Sequence, residues 1–269
     1  MLFTVAVVQL EAGISKKGNF EKINTFLERV AKEKPNLIVL PEHWNWCGSP
    51  LERKNHSEDL IGSSNQFLQG LAKKYQCTIL SGSISEKHPQ GLPPFNTSLL
   101  IFSDGRFGKP YRKIHLFDAE VGVGHRESET TTAGSEVVVD EIIFGKEKIK
   151  VGLSVCYDLR FPELYRKLSF AGAEILFVPA NFTAVTGPPH WGVLARARAI
   201  ENQCFVVAVG QTGKPGNYSE SHGHSMVIDP WGEVLVEMKK EEGVAVAHLD
   251  FDKLHQVRQK MPVGKHRKI

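Results

Sequence analysis

The sequence has no apolar run approaching the roughly 18 residues a membrane-spanning helix needs, and no large charge excess of either sign. Its 33 basic and 30 acidic side chains leave a formal charge of +3, which gives no electrostatic footprint for nucleic acid. The basic KHRKI at Lys265 to Ile269 is the one local surplus, and it reads as a short solvated tail. Cysteine is scarce: Cys47, Cys77, Cys156 and Cys204 stand far apart without a CxxC pair. That argues against a disulfide framework or a zinc site and for a reducing, cytoplasmic setting. The opening MLFTVAVVQL lacks a basic flank and a small-residue cleavage site, so it reads as a first strand and not a signal peptide. The sequence also lacks internal repeats and low-complexity linkers.

What is present is a regular alternation of apolar runs with helix-period segments, in a chain of 269 residues that is 41% hydrophobic and 23% charged. Such a chain can bury a sizeable core. A strand at Thr4 to Gln9 precedes a helix from about Lys17 to Lys34, and NLIVLPE predicts a strand ending at Glu42. A helix around Ser64 to Tyr75 leads to the strand CTILSGSIS, and NTSLLIFSDGRFGKPYRK reads as a hairpin turned at Ser103 to Arg106. An irregular stretch, Leu116 to Gly134, is followed by a second hairpin and the strand KIKVGLSVC. The second half continues with a helix over Pro162 to Ala171, the strand AEILFVPANF, the helix HWGVLARARAIENQ and the strand CFVVAVGQ. A hairpin turned at Asp229 to Gly232 and a final strand and helix close the chain. βα units interleaved with hairpins predict one layered α/β domain with mixed sheets over residues 1–269.

Three apolar runs end on side chains that can do chemistry: Glu42 in LIVLPEHWNW, Lys113 in PYRKIHLFD and Cys156 in GLSVCYDLRFPE. Sites in open α/β sheets form outside the carboxyl ends of strands. A carboxylate there can take a thiol proton, an ammonium can favour thiolate and oxyanion, and a thiolate can attack. Each residue also has an ordinary use, as a buried small hydrophobe, a helix cap or a surface charge. Histidine offers a rival base: His115 follows Lys113, and His222 and His224 form an HGH, so a Cys-His hydrolase stays open at this point. The HGH without further ligands reads as structural, and no metal is expected.

LPE, YRKIHLFD and CYDLRFPEL, in that order, resemble the three signatures of the nitrilase-like carbon-nitrogen hydrolases, and the resemblance extends along nearly the whole chain. It implies a four-layer αββα sandwich that usually dimerises sandwich against sandwich, with no cofactor. It further implies Glu42 as general base, Lys113 as transition-state stabiliser and Cys156 as nucleophile, with Tyr157 lending its N–H to the oxyanion. RESETTTAG matches a further family feature, which places Glu127 near the substrate. TGPPHWGVLARARAIENQCFVVAVGQTG is most similar to the branch that hydrolyses deaminated glutathione, while YRKIHLFD is shared with the omega-amidase branch, which acts on alpha-ketoglutaramate. Tyr157 after the cysteine speaks against nitrile hydrolysis, and N-carbamoyl amidase activity is a further alternative. Arg160, Asn181 and Thr183 follow strand ends and are candidates for a substrate carboxylate, although an arginine in DLRFPEL can instead lock its loop through Asp158 or Glu163. A catalytically silent binding protein on the same fold is the alternative from another class.

Overall fold

The computed structural model describes residues 2–121 and 126–268. One sheet runs in the order β14 (Gly243–Asp250), β1 (Leu2–Gln9), β2 (Leu37–Val39), β3 (Thr78–Leu80) and β6 (Leu100–Ile101). Successive side chains of a strand point to opposite faces. In β1, Phe3, Val5 and Val7 enter one buried cluster, and Ala6 and Val8 enter another.

The second cluster is completed by helices α1 (Lys16–Val30) and α3 (Ser63–Tyr75), which supply Ile23, Phe26, Leu27, Leu68 and Leu71 at helical spacing. Ser15 caps α1 by accepting the Gly18 N–H, and Lys34 ends the following 3-10 turn in the left-handed region. Leu27 is fully buried, so truncating it to alanine costs about 2–5 kcal/mol. A short helix, α2 (Arg53–His56), precedes α3.

The first cluster joins β1 to the second sheet, whose order is β13 (Val234–Glu237), β12 (Met226–Ile228), β11 (Phe205–Gly210), β10 (Ile175–Ala180), β9 (Glu147–Leu153) and β8 (Val139–Phe144). β10 is buried along its whole length and pairs in parallel with both β9 and β11, as the continuous apolar run ILFVPA requires. Helices α4 (Pro162–Phe170) and α5 (Gly187–Asn202) cover its far side through Leu164, Leu168, Trp191 and Ala195. The layers therefore run helix, sheet, sheet, helix, as expected. Helices α6 (Phe251–Lys260) and α7 (Val263–His266) follow β14.

Two expected elements are divided differently. CTILSGSIS is not one strand: Gly82 turns at φ +61, where an added Cβ would collide with the Pro41 carbonyl oxygen. Beyond that turn β4 (Ile84–Glu86) joins a small sheet with β5 (Phe95–Ser98) and β7 (Tyr111–Arg112). The expected hairpin is likewise split at Leu99, with β5 pairing to β4 and β7 while β6 pairs to β3. The strand leading to Glu42 stops at Val39, so Glu42 lies in the turn beyond it. The expected irregular stretch contains one 3-10 turn, Glu127–Glu129, and residues 122–125 of it lie outside the described residues.

Candidate active site

Parallel strands of the two sheets end on the same side, and their ends carry the site. Cys156 opens a 3-10 turn, Cys156–Arg160, just beyond β9. Its backbone is left-handed at φ +49, a conformation that costs a non-glycine residue roughly 1–3 kcal/mol and gathers at functional positions. The thiol lies close enough to the Glu42 carboxylate for each group to shift the other's proton affinity.

Glu42 is held on every side. Its Oε1 accepts from Asn96 Nδ2 at 2.7 Å and Lys113 Nζ at 3.2 Å, and its Oε2 accepts the Asn181 N–H at 2.6 Å. Gln211 Nε2 donates to the Glu42 carbonyl oxygen at 2.9 Å. Lys113 donates in turn to Glu127 Oε2 at 2.8 Å, an oxygen that also accepts the Phe117 N–H. The Arg53 guanidinium lies 3.6 Å from Glu127 Oε1. Glu42, Lys113, Glu127 and Cys156, distant in sequence, thus form one buried cluster.

Charge states follow from this arrangement. Burial alone raises the Glu42 carboxyl, but the Lys113 ammonium, the Cys156 thiol, the Asn181 N–H and Arg53 outweigh it and hold it below its usual range. Glu127 is lowered in the same way, with burial opposed chiefly by Lys113 and Arg53. Burial disfavours the Lys113 ammonium, yet Glu127 and Glu42 hold its pKa above the usual value. Cys156 is pushed well above the usual thiol value by burial and by Glu42, against the pull of Lys113. The resting site is a thiol facing a carboxylate, not a preformed thiolate.

The cluster forms the floor of a cleft of about 880 Å³ including its mouth. Tyr157, Arg160, Asn181 and Thr183 all line it, but they are not equally free. The Asn181 side chain is committed to Ser221 Oγ and Cys47 Sγ, and its backbone N–H serves Glu42. Thr183 Oγ1 is bonded to Thr186 Oγ1 and accepts the Thr186 N–H ahead of α5. Arg160 does not lock its loop through Asp158, whose oxygens accept from Tyr111, His115 and Val155. It donates instead to His190 Nδ1 at 3.2 Å and lies over the rings of Tyr157 and Phe182. Among the described residues no carboxylate pairs with it.

The histidines proposed as a rival base are engaged elsewhere. His115 Nδ1 is 2.7 Å from Asp158 Oδ1 and its ring stacks on Phe161. His224 pairs with Glu237 at 2.8 Å and stacks on His222. Burial pushes His222 down to about 4, helped by His224 and Lys240. His43, which sequence reasoning passed over, is the histidine beside the cluster, with Nε2 4.0 Å from Glu42 Oε1. Burial and the Arg53 charge keep its ring well below the usual imidazole value. Among the described residues Glu42, His43 and Glu127 are the one group whose ligand atoms gather as metal ligands would. The Lys113 ammonium, bonded to both carboxylates, already supplies their positive counter-charge.

Arg53, His43 and Asn96 were not legible as site residues. Asn96 sits inside a short strand and Arg53 on a one-turn helix, and neither carries a local signal.

Residues 4–259 match the carbon-nitrogen hydrolase family. The deaminated glutathione amidase of Synechocystis sp. (strain PCC 6803 / GT-S) is 39% identical over 98% of this chain and 98% of its own length. The omega-amidase NIT3 of Saccharomyces cerevisiae is 36% identical over 98% of this chain and 93% of its own. The crystal structure of Saccharomyces cerevisiae Nit3, a member of branch 10 of the nitrilase superfamily, has a TM-score of 0.90 at 34% identity, covering 100% of this chain and 97% of that one. With sequence and fold in agreement over nearly the full length, the chain belongs to the carbon-nitrogen hydrolase family.

Proposed function

We propose that this carbon-nitrogen hydrolase is a cysteine-dependent amidase acting on small linear amides that bear a carboxylate, and that residues 1–269 form one catalytic domain. The observation that carries the reading is the convergence on one buried cleft floor of Cys156, of a Glu42 carboxylate that receives the Lys113 ammonium, and of Glu127. As Sγ bonds to the amide carbon, the thiol proton passes to Glu42, which removes the need for a free thiolate. The oxyanion is met by the Lys113 ammonium and by the Tyr157 N–H, which belongs to the first N–H groups of a helical turn and so lacks an internal partner. Glu42 returns the proton to the nitrogen as the C–N bond breaks, leaving a thioester and a free amine. Water then gives its proton to Glu42 and attacks the thioester, with Glu127 orienting the Lys113 ammonium. The acid leaves as the C–S bond breaks and Cys156 regains a proton. No electron carrier or electron sink enters these steps, so no cofactor is assigned.

Arg160 supplies the carboxylate preference, since a guanidinium on the cleft wall with no acidic partner among the described residues suits a bidentate anion. Deaminated glutathione is the leading substrate, because the Synechocystis relative bears that activity in its name at 39% identity. Alpha-ketoglutaramate comes second on the omega-amidase relative. The test is turnover of deaminated glutathione, alpha-ketoglutaramate, simple nitriles and N-carbamoyl amino acids, side by side. Preference for a nitrile or a carbamoyl compound overturns the reading, and failure to form any adduct at Cys156 favours a silent binding protein.

A homodimer in the cytoplasm completes the proposal. Exposed Phe170, Val193 and Ile200 on the outer helices, with Trp231 nearby in the chain's second sheet region, offer apolar surface for a second copy. No helix among the described residues is long and apolar enough to cross a membrane. Sedimentation equilibrium reporting a monomer at micromolar concentration would remove the dimer.

A further inference from the structure

Asp158 is fully buried two residues after Cys156, and no step above uses it. Its two oxygens accept four hydrogen bonds. Oδ2 accepts the Val155 N–H at 2.8 Å and the Tyr111 hydroxyl at 2.6 Å. Oδ1 accepts the His115 N–H at 3.1 Å and His115 Nδ1 at 2.7 Å. Tyr111 and His115 flank Lys113, two residues to either side, while Val155 immediately precedes Cys156. Among the described residues, every hydrogen bond that joins the segment Tyr111–His115 to the segment Ser154–Phe161 ends on this carboxylate.

We propose that Asp158 is a positioning residue for the reaction: it clamps the lysine segment to the nucleophile turn and sets the Lys113 ammonium in register with Cys156. The inference rests on the Glu-Lys-Cys reading given above. Lys113 is anchored on its other side by its N–H to the Asn96 carbonyl and by the Gly134 N–H to its own carbonyl, both at 2.8 Å. Those bonds tie it to the small sheet and leave its distance from Cys156 open. Asp158 closes that remaining freedom and also secures the backbone next to the left-handed Cys156. His115 stacked on Phe161 at 3.7 Å between ring centres braces the same junction.

The four donors separate this role from simple space filling. An asparagine has the same shape, but whichever way its amide is turned, its NH₂ meets a backbone N–H, that of Val155 on one side or of His115 on the other. Neither can reverse its role as a donor. The Tyr111 hydroxyl can rotate, so it tolerates loss far better than the backbone clamps do. A buried donor left without an acceptor is costly, and the turn that carries Cys156 is free to shift in response.

The test compares Asp158→Asn, Tyr111→Phe and the double variant Tyr111→Phe/His115→Phe with the wild type. Each is measured for kcat, KM, thermal unfolding and the rate at which iodoacetamide alkylates Cys156 at neutral pH. A displacement on the order of 1 Å costs about 100-fold in rate. Asp158→Asn is therefore expected to lower kcat by about that factor, to leave KM within about threefold, and to slow alkylation of Cys156 while cooperative unfolding persists. Tyr111→Phe, with both backbone clamps intact, is expected to lose less than about tenfold. A kcat for Asp158→Asn within about fivefold of wild type, or a loss confined to KM, overturns the proposal. Should Asp158→Asn not fold, the double variant decides, because it keeps the carboxylate but removes two of the three bonds that join the lysine segment to it, leaving only the His115 N–H. A kcat loss of about tenfold or more at constant KM supports the clamp, and wild-type kcat overturns it. Cys156→Ala and Lys113→Ala run alongside: turnover in those two defeats the Glu-Lys-Cys reading, whereas an active Asp158→Asn beside two inactive controls defeats the clamp alone.

Discussion

Glu42 Oε2 accepts the backbone N–H of Asn181 at 2.6 Å, although the two residues are 139 positions apart. Glu42 follows a strand of one sheet and Asn181 follows β10 of the other, so the bond spans the seam between the sheets at their shared end. The proposed base is fixed by a main-chain donor that no substitution at Asn181, short of proline, removes. Its orientation thus depends on the relative placement of the two sheets, and damage to the seam reaches the chemistry.

Cys156 is expected to be the one essential thiol. Burial raises Cys47 and Cys77 to about 12 and Cys204 to about 11, and of the four only Cys156 opens the turn beyond β9 with both Glu42 and Lys113 acting on it. Cys156→Ala should abolish turnover and covalent adducts, while alanine at Cys77 or Cys204 leaves the chemical step intact. Mass spectrometry of the substrate-treated protein checks both, and a Cys156→Ala enzyme near the wild-type rate would sink the mechanism.

Glu42→Gln should keep the fold and lose at least about 100-fold in kcat, the scale of general acid-base catalysis. The loss comes from removing both the acceptor for the thiol proton and the acid for the leaving amine. Single-turnover kinetics with circular dichroism tests this. If His115→Ala is inactive while Glu42→Gln turns over, a Cys-His mechanism replaces the present one.

The pH dependence has a defined sign. Glu42 and Glu127 are held below their ordinary 4.5 and Lys113 above its ordinary 10.5. The stability that the two carboxylates contribute is whole above 4.5 and is lost as pH falls through their folded values; that of Lys113 is whole below 10.5 and is lost only as pH rises through its own. The acid limb of kcat/KM should accordingly lie below 4.5, with denaturation midpoints falling over the same range. Profiles of activity and urea unfolding from about pH 3 to about pH 10 check this, and an acid limb centred near 6.5 would point to a histidine instead.

Much of this candidate site was legible because the residues proposed to carry the chemistry sit close to where apolar runs end, and strand ends are visible as breaks in hydrophobic pattern. Cys156, Glu42 and Lys113 are found this way. The division of CTILSGSIS was hidden because it turns on Gly82 facing the Pro41 carbonyl, a contact between separate segments. Asn96, His43 and Arg53 were hidden for the same reason, since their roles arise only when distant strands and turns are brought together. Asn181 was read for its side chain, whereas its main-chain N–H reaches Glu42, and periodicity says nothing about where a main-chain donor will point.

Arg160 should govern affinity for the carboxylate and not the rate of bond breaking. It lines the cleft, donates to His190 and has no acidic partner among the described residues. Arg160→Ala should raise KM for a carboxylate-bearing amide by about tenfold or more with kcat nearly steady, and leave a neutral amide unaffected. Equal losses on both substrates would show that the guanidinium supports the turn and not the ligand.

Lys113→Arg separates a placed ammonium from a general positive charge. Lys113 is buried between Glu42 at 3.2 Å and Glu127 at 2.8 Å, a gap matched to a compact tetrahedral donor. A guanidinium is planar and larger, so it must displace one carboxylate to enter. If Glu42 is displaced, the Cys156 proton loses its acceptor; if Glu127 is displaced, the cation moves off the oxyanion. Both outcomes slow the chemical step although the net charge is unchanged. Lys113→Arg is therefore expected to lose nearly as much as Lys113→Ala, about 2.7–4 kcal/mol of transition-state stabilisation if the loss resembles that of an oxyanion donor. Lys113→Ala should also unfold more readily, because it leaves two buried carboxylates facing each other with only Arg53, beside Glu127, to offset them. Turnover and thermal unfolding of both variants provide the measurement, and full activity in Lys113→Arg would mean that the lysine serves only as a counter-charge.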